Sequence, residues 1–199
     1  MGLLVKQIML VKEMFCNKKY LLLFFLVLFF VETKADNKNE IISKFQNIKN
    51  LTFNFEQNIN GKIEEGKCII EYPKKIYCKY NSSNNKTLVS NGNSLVIITD
   101  IGSYYRYPLK NTPLNLILDK NFIINEIINL DEKIVDDKFI HFTIKKDELK
   151  LNVLFDKDSL NIKGWQILDI YQNASFTFLS NIMINQNIKS DLFKLPKFN

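Results

Sequence analysis

The chain has 199 residues, with 27 basic and 21 acidic side chains, 46% apolar residues and six glycines. That length suits one ordinary domain and is short for two, and the apolar share excludes wholesale disorder. Residues 1–35 hold five of the lysines and two of the glutamates, so the remainder carries 22 basic and 19 acidic groups, a net +3 that leaves no electrostatic footprint for a nucleic-acid partner.

Leu21 to Val31 reads LLLFFLVLFFV, eleven apolar residues directly after Lys18 and Lys19. A membrane-spanning helix needs about twenty such residues. Eleven suits the apolar core of a secretory signal peptide, and Thr33 and Ala35 occupy the −3 and −1 positions of a small-residue cleavage site before Asp36. The expectation is a signal peptide over residues 1–35 and one exported domain over residues 36–199; the alternative is an uncleaved single-span anchor. Cys16 precedes the apolar run, so it is not a lipidation cysteine of the bacterial kind.

Within 39–50, Ile41, Ile42, Phe45 and Ile48 form one apolar helical stripe. From Leu51 the period becomes two, with Leu51, Phe53 and Phe55 alternating with Thr52, Asn54 and Glu56. Short strands are then expected at 67–72, 76–80, 87–90, 94–99 and 104–107. Asn60-Gly61, Pro73-Lys74, 82–85, Asn91-Gly92 and Ile101-Gly102 supply the turns between these runs. Thr112-Pro113 reads as an N-cap and first helical position ahead of Leu114, Leu116, Ile117 and Leu118. Further strands are expected near 126–129 and at 139–144, 149–155, 162–170 and 175–185. Regular hairpins with few helices predict a mainly β, strongly curved antiparallel sheet, either a sandwich or a partial barrel.

Cys68 and Cys78 flank the hairpin around Pro73, and alternation lets both thiols meet on one side of the sheet, although the spacing does not set the register. Either they form a disulfide or they are two small buried hydrophobes. His141 is the only histidine, and no metal-ligand spacing surrounds it. The sequence has no nucleophile elbow, phosphate-cradling loop or zinc-protease motif, so neither an enzyme nor a cofactor is expected.

Several ordered stretches resemble the outer-membrane lipoprotein carrier family, LolA. Phe55-Glu56-Gln57 after an amphipathic helix matches its F-x-Q. Gly66 and Tyr72-Pro73-Lys74-Lys75-Ile76-Tyr77-Cys78-Lys79-Tyr80 are similar to its R-P-G-K-x-R-F-E-Y hairpin. Val89-Ser90-Asn91-Gly92 with Leu95 and Asp100 resembles V-S-D-G-x-x-L-x-x-x-D. Tyr107-Pro108-Leu109 followed by Thr112-Pro113-Leu114 resembles the Y-P-L-x-x-T-P-L of alphaproteobacterial members, and Trp165, Asp169, Phe193 and Pro196 fit the family's end.

The resemblance implies an incomplete antiparallel β-barrel covered by an α-helical lid, acting in the periplasm as a monomer. Its partners would be acylated lipoproteins, an inner-membrane ABC-type release complex and an outer-membrane receptor lipoprotein. A lipid-sensing or glycolipid-binding module of the same fold is the alternative. The acyl cavity is expected to use Phe53, Phe55, Ile70, Tyr72, Ile76, Tyr80, Leu95 and Ile97, with Trp165, Phe176 and Phe178 on the far strands. Ile41 and Phe45, with Leu114, Ile117 and Leu118, are the expected lid contacts. Each buried methylene is worth about 0.8 kcal/mol, so an acyl chain of about fifteen represents roughly 12 kcal/mol that a soluble shuttle must match. Family members commonly place an inward arginine before the hairpin proline to latch the lid. Tyr72 stands there instead, and Arg106 is the chain's only arginine, so the latch should differ.

Overall fold

The computed structural model describes residues 37–81, 85–168, 173–189 and 191–197. The expected signal peptide and cleavage site, most of the 82–85 turn and Asp169 lie outside them. Helix α1 (Asn37–Gln46) leads into β1 (Asn50–Ile59), β2 (Lys62–Glu71), β3 (Lys75–Tyr80), β4 (Thr87–Asn91), β5 (Ser94–Ile98) and β6 (Tyr104–Pro108). A helical segment follows: a 3-10 turn (Leu109–Asn111), α2 (Leu114–Ile117) and α3 (Lys120–Ile128). The chain then returns as β7 (Lys133–Val135), β8 (Phe139–Lys146), β9 (Leu149–Asp156), β10 (Ile162–Leu168) and β11 (Ala174–Ile184).

All eleven strands form one antiparallel sheet in the order β6-β5-β4-β3-β2-β1-β11-β10-β9-β8-β7. Strands β6 and β7 are its two edges and do not pair with each other, so the barrel is incomplete. Register breaks between Thr52 and Asn54 on β1 and between Ile162 and Gly164 on β10 bend the ribbon. The turns follow their chemistry. Asn60 and Gly61 both have positive φ, whereas at the next Asn-Gly only Gly92 does. There the Asn91 side chain instead accepts from the backbone N–H groups of Asn93 and Ser94, each at 3.0 Å.

One expected strand is a helix. Residues 126–129 fall at the end of α3, although Ile127 and Ile128 are β-branched. Asp119 caps this helix by accepting from the Phe122 N–H at 3.0 Å, and Ile123, Ile124 and Ile127 present a helical stripe that is buried. Tertiary burial outweighs the weak local preference here.

The core lies on the concave face, under the helices. Leu51, Phe53 and Ile70 meet Ile41 and Phe45 of α1 and Ile123 and Ile127 of α3 in a single buried cluster. Phe45 packs edge-on against Tyr72 and Phe155, with ring centroids 5.9 Å apart in each case. On the convex face Val89 and Val96 are buried, Phe193 of the C-terminal segment is buried, and Tyr104 donates to the Pro196 carbonyl at 3.3 Å.

Cys68 and Cys78 are direct cross-strand partners on β2 and β3 and form a disulfide, which resolves the open alternative. The bridge spans a separation of ten residues. By chain entropy a loop of that size is worth about 2–3 kcal/mol. Urea unfolding with and without a strong reductant should differ in stability by that amount, and coincident curves would show that the bridge constrains nothing.

Candidate functional site

Between the concave face and the helical segment lies a cavity of about 360 Å³. Alternation on β1 points Phe53, Phe55, Gln57 and Ile59 into it. The neighbouring strands add Cys68, Ile76, Cys78, Tyr80 and Leu88, then Leu95 and Ile97 towards the β6 edge. On the other side stand Trp165 and Ile167 of β10 and Ala174, Ser175 and Thr177 at the start of β11. Thr112, Pro113 and Leu114 close it from the helical segment. The aromatic walls are locked edge to face, Phe53 on Trp165 at 6.2 Å and Phe55 on Tyr80 at 4.9 Å. Gly66 makes the second pair possible, since a Cβ there would sit 2.2 Å from the Lys79 carbonyl oxygen and 2.8 Å from the Phe55 ring.

Of the residues expected to face the cavity, the structure brings seven together on its wall: Phe53, Phe55, Ile76, Tyr80, Leu95, Ile97 and Trp165. Ile70 and Tyr72 share their face but lie in the core. Phe176 and Phe178 do not face inward. In the β1–β11 and β10–β11 registers Thr177 opposes both Gln57 and Trp165, so the even-numbered phenylalanines fall on the convex side. There Phe176 packs on Phe178 at 4.4 Å and Phe178 on Phe139 at 6.1 Å. Among the wall residues that sequence reasoning misses are Gln57, Ile167, Ser175 and Thr177. Gln57 and Ile167 are signalled by their spacing from Phe55 and Trp165; the two hydroxyls have no signal in a strand where phenylalanine is the better core residue.

The lid residues separate by depth. Ile41 and Phe45 on α1, and Ile117 and Leu118 on the helical segment, are buried in the core, whereas Leu114 reaches the cavity wall. Lysines tie these pieces down. Lys38 at the start of α1 donates to the Ile128 and Leu130 carbonyls at the end of α3. Reciprocally, Lys120 at the start of α3 donates to the Gln46 and Ile48 carbonyls, at 2.7 and 2.6 Å, at the end of α1. Each cation thus meets the negative end of the opposing helix. Burial holds the Lys120 ammonium below the usual lysine range.

Lys74, at the tip of the β2–β3 hairpin, reaches across to the helical segment. Its ammonium donates to the Asn115 carbonyl at 2.8 Å and to the Asn115 side chain at 2.9 Å, and pairs with the α3 cap Asp119 at 3.0 Å. Its backbone N–H donates to the Leu118 carbonyl at 2.9 Å. Tyr72, where the resemblance leads one to expect a latching arginine, forms no such tie. Its hydroxyl is buried without a hydrogen-bond partner among the described residues, and burial pushes its phenol well above the usual range.

At the opposite end of the cavity Tyr80 is neutral, pushed up to about 12 by burial first and the Glu64 carboxylate second. Burial alone would raise Glu64, but hydrogen bonds from Lys86 and Lys62 outweigh it and hold its carboxyl below the usual range. Lys86 also lies 3.8 Å above the Tyr80 ring. His141 is on the convex face beside Lys133 and Lys150, where burial and then those charges lower its affinity for a proton.

A family model described as outer membrane lipoprotein carrier protein LolA matches residues 46–196. The chain belongs to the LolA family. That family is a carrier and binding family rather than an enzyme family, and membership brings a LolA-like lipid- or lipoprotein-binding role. No curated protein sequence is significantly similar to this one. Solved structures are similar to the chain at low identity. An uncharacterized conserved protein from Thermus thermophilus is 7% identical, with a TM-score of 0.49 over 83% of this chain and 96% of its own. A LolA superfamily protein from Nitrosomonas europaea is 7% identical, with a TM-score of 0.43 over 81% and 99%. A putative outer membrane lipoprotein-sorting protein domain from Vibrio parahaemolyticus is 8% identical, with a TM-score of 0.45 over 77% and 94%.

If Lys74 replaces the family arginine as the tie between sheet and helices, Lys74→Met should loosen 114–119 selectively. Hydrogen bonds to a charged group are worth roughly 1.5–3 kcal/mol, so amide exchange of Leu116 to Asp119 should accelerate about tenfold or more, with β8 and β9 unchanged. Unaltered exchange in that segment would remove Lys74 from the latch.

Proposed function

We propose that this LolA-family protein is a periplasmic carrier that takes acylated lipoproteins from an inner-membrane ABC-type release complex and passes them to an outer-membrane receptor lipoprotein. The observation that carries the reading is the apolar cavity between an unclosed sheet and helices held to it by hydrogen bonds. Ligand cavities run roughly 300–1,000 Å³, which places this one near the lower limit. More than one acyl chain would therefore require the helical segment to lift. Its ties suit that motion, because the lysine hydrogen bonds can be exchanged for water whereas a fully apolar seam could not.

Export supplies the location: the apolar run Leu21 to Val31 and the Thr33-x-Ala35 site are the features of a signal peptide. Release must also be possible. Burying several chains completely would exceed the practical ceiling of noncovalent affinity, so helices that compete with cargo for the same apolar face keep binding reversible. Direction comes from the donor complex, which hydrolyses ATP, and from a tighter-binding acceptor.

The purified protein, incubated with inner-membrane vesicles that hold a labelled triacylated lipoprotein and an active release complex, should yield a soluble one-to-one complex only when ATP is added. Ile97→Glu places a charge on the partly exposed cavity wall and should reduce that complex more than tenfold while keeping the antiparallel-sheet circular dichroism. No soluble cargo from vesicles that load another carrier would refute the assignment.

A further inference from the structure

The cavity wall is not uniformly apolar. Where β1 pairs with β11, Gln57 lies directly opposite Thr177, and Ile59 lies opposite Ser175. The Gln57 side-chain amide donates to both hydroxyls, to Ser175 Oγ at 3.3 Å and to Thr177 Oγ1 at 3.1 Å. Thr177 is almost wholly buried, at 3% exposure, and all three residues line the cavity. An NH₂ group has two protons, enough to give one to each hydroxyl. Both hydroxyls therefore act as acceptors towards Gln57 and keep their own protons to donate. Among the described residues neither donates to a protein acceptor.

Two O–H donors held side by side at one end of an apolar cavity are matched to an acceptor that adjoins a long alkyl chain. A hydrocarbon chain alone gains nothing from them, and burying them unmatched carries a cost. We infer that Gln57, Ser175 and Thr177 form a subsite for the carbonyl of an acyl group, ester or amide, with its alkyl chain running towards Phe53, Trp165 and Leu95. This inference rests on the acyl-binding reading above and adds to it where in the cavity the chain's polar end sits. Anchoring the carbonyl would also fix how deep the chain enters, because its head cannot pass the β1–β11 pair without giving up those hydrogen bonds.

The test compares two probes of equal chain length, dipalmitoylglycerol and its dihexadecyl ether analogue, which lacks the carbonyls. The wild-type protein should bind the ester about tenfold more tightly than the ether. In a Ser175→Ala/Thr177→Val variant that ratio should fall to near one. Equal wild-type affinities would overturn the subsite, as would a preference that survives in the variant. The wild-type comparison needs no mutation, so a variant that failed to fold would not prevent the test. If neither probe binds the wild type, the acyl-binding reading itself fails and the subsite with it. Palmitoyl amide in the same assay separates the two carbonyl sources: affinity lost in the variant assigns the amide, and retained affinity assigns the glyceryl ester.

Discussion

The structure is governed by an apolar concave face that the sheet cannot cover by itself. Eleven strands curl but stop short of closure, leaving β6 and β7 as free edges. Along β1 to β5 most inward positions carry an apolar or aromatic side chain, from Leu51 and Phe53 across to Leu95 and Ile97. Leaving that face in water would cost about 25 cal/mol per Å² of apolar surface, so α1, α2 and α3 are folded over it. The same surface that demands a cover is the one that can accept an alkyl chain in the cover's place.

How the cover is held decides whether it can leave. At the α1–α3 end it is a true core, with Ile41, Phe45, Ile123 and Ile127 fully or almost fully buried. At the α2 end Ile117 and Leu118 are still buried, while Leu114 faces the cavity and Lys74 adds polar ties to Asn115 and Asp119. The helical segment is therefore packed along its length, and around α2 exchangeable polar bonds add to that packing. Asp119 serves both functions, since one of its oxygens caps α3 and the other receives Lys74. The cation of this tie sits two residues beyond Tyr72, which fills space against Phe45.

Much of this is legible in the sequence, and the misses have physical causes. The β1 face is legible because Phe53 and Phe55 alternate with polar residues, and the hairpin is legible because Pro73 and the cysteine pair frame it. The ASFTFLS stretch of β11 misleads because phenylalanine alternates with threonine and leucine, so both faces are plausible cores; only the pairing of Thr177 with Gln57 and Trp165 decides between them. Residues 126–129 resemble a strand for their isoleucines, and only the cap at Asp119 and burial against α1 make them helical. The Lys74 tie joins residues about forty apart in the chain, a contact with no local periodicity to announce it.

Trp165 is the chain's only tryptophan and stands in the cavity wall, edge-on to Phe53. It is therefore a built-in reporter of whether acyl chains occupy the space between sheet and helices. Titrating the purified protein with a palmitoyl lipid brominated along its chain should quench Trp165 fluorescence saturably at one lipid per protein, while the unbrominated lipid should not. Binding of the brominated lipid without quenching would put the acyl chain elsewhere and contradict the account.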